Sequence, residues 1–114
     1  MNHGLTKETV DKMVSVFVQF PQIEQAVLYG SRAKGNFKMG SDIDLTLYGE
    51  NLSQHLLGDI AEILDDLLLP YTIDLSIFDN INHHALCDHI ERVGVVFYDA
   101  LERATLHPKK SINI

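Results

Sequence analysis

Asp42 and Asp44 stand one residue apart in the run Asp42-Ile43-Asp44-Leu45-Thr46-Leu47-Tyr48. Polar and apolar residues alternate through it, the pattern of a β-strand with one wet face, so both carboxylates project from the same side and Ile43, Leu45 and Leu47 from the other. Two unit charges about 4 Å apart repel by roughly 4 kcal/mol at an effective dielectric of 20. That is a large fraction of a small domain's stability, so one carboxyl must hold a proton or a cation must lie between the two. A hard divalent ion, Mg²⁺ above all, meets that need, because it takes one or two carboxylates and fills its shell with water and substrate phosphates.

Just upstream, Gly30-Ser31-Arg32-Ala33-Lys34-Gly35 offers what a phosphate would want. Gly30 and Gly35 allow close backbone approach, Ser31 brings a hydroxyl and an N–H, and Arg32 and Lys34 add positive charge. The contact is expected to fall more to the backbone and Ser31 than to either long side chain. Carboxylate pair and phosphate loop together read as a site for a nucleoside triphosphate and its magnesium. A third acid, Asp74, lies in the apolar, β-rich segment 71–78, on a face with Thr72, Ser76 and Phe78. A lone charge in such a strand needs a partner. The alternative is an edge-strand carboxylate facing water, and Asp79, at the strand end, is a weaker substitute.

These groups must be positioned by the elements around them. Residues 6–20 read as a helix that Thr6 caps and Pro21 ends, with Val10, Met13, Val14, Phe17 and Val18 on its apolar face. Strand 23–29 delivers Gly30 to the turn, and a short helix in 31–38 would aim its first N–H groups at an anion. Strand 42–48 follows, then a helix from 52 or 53 to 69, strand 71–78, a helix over 81–93 that Gly94 would cap, and strand 95–98. The order implies an α/β (α+β) single domain, with a mixed sheet of about four strands packed against helices. One face of that sheet would carry the aspartates. The domain is expected to span 1–106 and to leave a loose polar tail at 107–114.

Other polar clusters have plainer readings. Asp59, Glu62, Asp65 and Asp66 recur at helical spacing and suit a wetted face. His84 and Asp88 have the i, i+4 spacing of a metal pair, but a zinc site needs a richer set, so His83, His84 and His89 are expected to face solvent or a partner.

At 114 residues the chain is long enough for one core and too short for a catalytic domain with a separate acceptor-binding domain. Its net charge is −7, and between Ser41 and Glu102 thirteen acidic residues face a single basic one, Arg92. No basic stripe for nucleic acid is visible, so no direct nucleic-acid binding is expected. The acidity suits a basic protein partner or simply solubility. Cys87 is the single cysteine, which fits a reducing compartment. No apolar run reaches the roughly 18 residues of a membrane span, and the first residues lack an apolar signal segment, so the expected location is the cytoplasm with no membrane contact.

Gly30-Ser31, ten residues, then Asp42-Ile43-Asp44 resembles the signature of the DNA polymerase beta superfamily of nucleotidyltransferases. The fuller pattern, Gly30-Ser31-Arg32-Ala33-Lys34-Gly35 with Ser41-Asp42-Ile43-Asp44-Leu45, resembles its smallest branch, the minimal nucleotidyltransferases, usually encoded beside a HEPN-domain toxin as its antitoxin. The resemblance covers roughly residues 23–99. It implies nucleotide binding by Gly30, Ser31, Arg32, Gly35 and Ser41, and metal binding and catalysis by Asp42, Asp44 and Asp74, which would hold two Mg²⁺ ions. The implied activity is transfer of AMP from ATP to a hydroxyl, a tyrosine of the cognate HEPN toxin, within a hetero-oligomer. The alternatives are an antitoxin that masks its partner by binding and nucleotidyl transfer to RNA or a small molecule.

Overall fold

The structure, a computed structural model, describes residues 3–106. Ala26, Val27, Leu28 and Tyr29 are all buried, alternate side chains facing opposite sides, and this makes β1 (Gln25–Tyr29) the spine of the fold. A strand covered on both faces reads as a continuous apolar run. β2 (Ile43–Tyr48) and β4 (Val95–Asp99) pair antiparallel to β1 on either side, and β3 (Ile73–Ile77) runs parallel to β2. The sheet is four-stranded and mixed, as the sequence implies, and its strand order is β3-β2-β1-β4.

A parallel pair needs a crossover, and α3 (Gln54–Asp65) supplies it between β2 and β3. Ile60 and Leu64 of α3, with Met13, Val16 and Phe17 of α1 (Lys7–Phe17), pack on Ala26, Leu28, Ile43, Leu45 and Leu47 to form the main core. The opposite face, bearing Val27 and Tyr29, is covered by α4 (His84–Val93) through Ile90. The long β1–β2 connection holds α2 (Ser31–Lys34), a single turn ended by Gly35 in the left-handed region at φ 86°. Among the described residues, no helix is long and apolar enough to cross a membrane.

Side-chain caps fix several helix starts. The Thr6 hydroxyl accepts from the Thr9 N–H and the Ser53 hydroxyl from the Leu56 N–H. Helices end earlier than apolar periodicity implies. α1 stops at Phe17 and α3 at Asp65, after which Leu68 takes φ 55° to turn the chain toward β3. β3 ends at Ile77, and Phe78–Asn80 form a 3₁₀ turn.

A further helix, α5 (Ala100–Leu106), follows β4 without having been expected. Its signal is the pair Asp99 and Glu102 at the spacing of a capping box, and the Asp99 carboxylate accepts the Glu102 N–H at 2.9 Å. The expected tail, 107–114, lies outside the described residues.

Gly94 follows α4 as expected, but for a different reason. Its backbone is extended (φ −61°, ψ 144°), so left-handed freedom is not what the position uses. A Cβ there would run into the Ile90 carbonyl oxygen and the Val27 side chain, so glycine lets α4 sit close on β1. Gly94→Ala should therefore destabilise the protein by about 1–3 kcal/mol, by forcing backbone or core to shift. Urea unfolding measures this, and an unchanged midpoint would contradict the packing account.

Candidate functional site

The parallel register of β2 and β3 sets Asp44 opposite Asp74 and Thr46 opposite Ser76. Paired residues on adjacent strands share a face, so Asp44 and Asp74 stand side by side on the α4 side of the sheet. Asp42 lies in the loop immediately before β2. Asp42 and Asp74 are exposed and Asp44 is half-buried. β3 is an edge strand, yet its wet face is the one Asp44 shares.

Burial pushes the Asp44 carboxyl above the usual carboxylate range, and the negative charges of Asp74 and Asp42 push it further, with His89 opposing. Asp44 therefore feels the charges of both other acids. The three do not close on one point: among the described residues, no three acidic, histidine or cysteine side chains are arranged to hold a metal ion. The donor set is nonetheless that of a hard cation, carboxylate oxygens whose repulsion a divalent ion relieves. Asp44 and Asp74, with Asp42 at the rim, are the residues that could hold one.

The glycine bend meets this cluster directly. Gly30 has φ 78° and ψ −154°, a conformation that disfavours any side chain, and a Cβ there would collide with the Asp44 carboxylate. Its N–H donates to His89 Nε2 at 3.2 Å. The bond ties α4 to the bend at its sharpest point.

His89 is thus not the solvent-facing residue that its neighbourhood of histidines implies. It is half-buried and meets the Tyr29 ring edge to face, with centroids 6.2 Å apart. The overlooked signal is spacing: Leu86, His89, Ile90 and Val93 follow the i, i+3, i+4, i+7 rule and form the inner face of α4. His83 instead caps α4, its Nδ1 accepting from the Leu86 N–H, and His84 is exposed. Asp88 pairs with Arg92 at 3.0 Å rather than with His84.

Arg32 also differs from the phosphate-facing role expected of it. Only 3% exposed, it donates from Nε and Nη2 to the Ser41 carbonyl (3.2 and 2.9 Å) and from Nη1 to the His3 carbonyl (3.0 Å). The Ser41 hydroxyl accepts from the Lys38 N–H at 2.8 Å. Ser31 is half-buried, and Lys34, Gly35 and Lys38 are exposed on the outer side of the loop. Asp59, Glu62 and Asp65 lie on the exposed face of α3, as their spacing implies, and Asp66, just past its end, is exposed too.

Further along the acidic face lies a polar patch that reading the strands did not single out. Thr46 is fully buried, the Ser76 hydroxyl donates to its Oγ1 at 2.9 Å, and the Tyr29 hydroxyl hydrogen-bonds with Ser76. Burial first, then the charges of Asp74 and Asp44, raise the Tyr29 hydroxyl above its ordinary range, so it stays a neutral phenol. The patch fills one polar face of the sheet with satisfied groups and gives the carboxylates a fixed base.

Because Asp44 has a raised folded pKa, its carboxyl favours folding at low pH, and that contribution disappears as pH rises through the folded value. Asp44→Asn should therefore raise the melting temperature at pH 7 by a few degrees, and the gain should vanish below about pH 4, where the wild-type carboxyl is protonated. Thermal melts at both pH values check this. Gly30→Ala should destabilise the protein by about 1–3 kcal/mol, since it strains the bend and displaces the Asp44 carboxylate. Denaturant unfolding of that variant would show no loss if the close approach were unimportant.

Comparison with known proteins bears on the family and the fold. The polymerase beta nucleotidyltransferase family model matches residues 11–103. Comparison with curated proteins gives no match. Among solved structures, a toxin–antitoxin with AMP-PNP superposes with a TM-score of 0.65 at 21% identity, covering 90% of this chain and 83% of the other. A tri-AMPylated HEPN toxin from Shewanella oneidensis in complex with its MNT antitoxin gives 0.62 at 18% identity, covering 95% and 84%. At such identities the superpositions speak for a shared fold, whereas the family match spans most of the chain. The protein belongs to the polymerase beta nucleotidyltransferase family.

Proposed function

We propose that this protein transfers AMP from ATP to a tyrosine hydroxyl of a HEPN-domain partner and silences that partner. The observation that carries the reading is the in-register pair Asp44 and Asp74 beside the Gly30-Ser31 bend. Support for the partner and for AMP as the transferred group comes from the fold shared with MNT antitoxins, one of them bound to a tri-AMPylated HEPN toxin.

In the proposed reaction the acceptor oxygen attacks the α-phosphorus, the bond from the α-phosphorus to the bridging oxygen breaks, and pyrophosphate leaves. The protein's task in such chemistry is to place the reactants and to balance charge. Ser31 and the backbone of the Gly30-Ser31 bend receive the triphosphate, while Gly35 ends the short helix so that the loop can turn away. Asp42, Asp44 and Asp74 would hold magnesium, which when bound neutralises phosphate charge and lowers the pKa of an oxygen it touches. Asp74 is exposed on the edge strand, so an incoming hydroxyl can reach it, and it promotes loss of the hydroxyl proton. Arg32 and Ser41 serve the site from behind it.

Co-expression with a cognate HEPN-domain protein, followed by mass spectrometry of that partner, tests the reading. The expected result is addition of AMP units that falls about 100-fold or more in Asp44→Ala. Neutralisation of the partner without any mass change would establish masking by binding instead, and AMP transfer to RNA with no partner present would overturn the choice of acceptor.

A further inference from the structure

Arg32 is a cation buried inside a domain, and among the described residues no carboxylate pairs with it. Such burial is costly unless the charge is satisfied in other ways. Here Nε and Nη2 converge on the Ser41 carbonyl, Nη1 takes the His3 carbonyl, and the guanidinium carbon lies 5.1 Å from the Phe37 ring centroid and 4.9 Å from that of Tyr71. Two carbonyl dipoles and two π faces thus take the place of a counter-ion.

Apart from His3, these partners belong to the segments that carry the candidate site. Arg32 itself follows Gly30 and Ser31 on α2. Ser41 immediately precedes Asp42. Tyr71 leads into β3, three residues before Asp74, and the Ile43 N–H donates to the Thr72 carbonyl at 2.9 Å, locking the two strand entries together. Phe37 comes from the loop between the bend and Ser41. One planar group therefore touches the Ser41 carbonyl beside Asp42, the Phe37 ring from the loop and the Tyr71 ring at the entry to β3, while standing on α2 next to Ser31.

We propose that Arg32 is a positioning residue of the nucleotide site: its buried guanidinium registers the glycine bend, the Asp42 loop and the start of β3 against one another, without contacting the nucleotide. The inference rests on the reading of that site given above. Its physical content is geometric rather than electrostatic. A lysine would keep the charge but lose both the two-pronged grip on one carbonyl and the flat surface stacked between two rings.

The test is isothermal calorimetry of the full chain with ATP and Mg²⁺, alongside amide hydrogen exchange of the nucleotide-free protein. Arg32→Lys should weaken the dissociation constant about 10- to 100-fold while the number of sites stays near that of the wild type. A merely structural role would do the reverse, lowering the number of competent molecules and leaving the affinity of the remainder unchanged, and would overturn the proposal. Exchange at Ser41–Ile43 and at Thr72 should speed up in the variant relative to the rest of the sheet. If Arg32→Lys does not fold, Phe37→Leu, which removes one flanking ring and keeps the arginine, should weaken binding several-fold on the same reasoning. If wild-type protein binds no ATP with Mg²⁺, the proposed function falls, and the exchange data alone decide the positioning claim: unchanged protection at 41–43 and 72 would refute it.

Discussion

Asp44 is held half out of water with Asp74 beside it on the next strand and Asp42 two residues away, and the mutual repulsion of these carboxylates is the constraint to which the rest of the structure answers. A sheet selected for stability alone would relieve it with one neutral substitution. Here the surroundings hold the arrangement in place. Gly30 gives up its side chain so that the Asp44 carboxylate fits against the bend. Ser76, Thr46 and Tyr29 form a satisfied polar base on the same face. Strain that persists because its neighbours over-determine it is a recurrent mark of binding sites.

The fold concentrates its rigidity where this arrangement needs it. β1 is buried on both faces, and it anchors β2 and delivers the glycine bend. The α3 crossover makes β3 parallel to β2, which puts Asp74 at the level of Asp44 rather than at the far end of the strand. α4 closes the acidic face from the side and presents His89 to the Gly30 N–H. Arg32 ties the loop from behind. The Asp42 and Asp74 carboxylates stay exposed to solvent at the rim.

Much of this was legible in the chain because strand alternation reports faces directly. The polar and apolar steps of 42–48 separate Asp44 from Ile43 and Leu45, and those of 71–78 put Asp74 with Ser76. What alternation cannot report is register, since that depends on how far the crossover carries the chain, so the pairing of Asp44 with Asp74 had to come from the fold. Arg32 was misleading for a related reason. A basic residue after Gly-Ser reads as a phosphate contact, and only when Phe37 and Tyr71 come together across the fold does a buried pocket for it exist. His89 was hidden by two neighbouring histidines that do face outward, although its helical spacing with Leu86, Ile90 and Val93 marked it as inward. Helix ends were read too long because apolar periodicity continues through the turns after Phe17 and Asp65, where Phe20, Leu67 and Leu69 still pack on the core.

The most direct measurement of the central claim is a carbon-13 NMR titration of the Asp44 carboxyl, followed from pH 2 to pH 8 with and without Mg²⁺ and a non-hydrolysable ATP analogue. The account predicts a midpoint above the ordinary aspartate value of about 3.9 in the free protein, shifted well below it when ion and nucleotide are present. An ordinary midpoint that ignores both additions would contradict it, because the burial and the neighbouring negative charges that raise the Asp44 carboxyl would then have no effect.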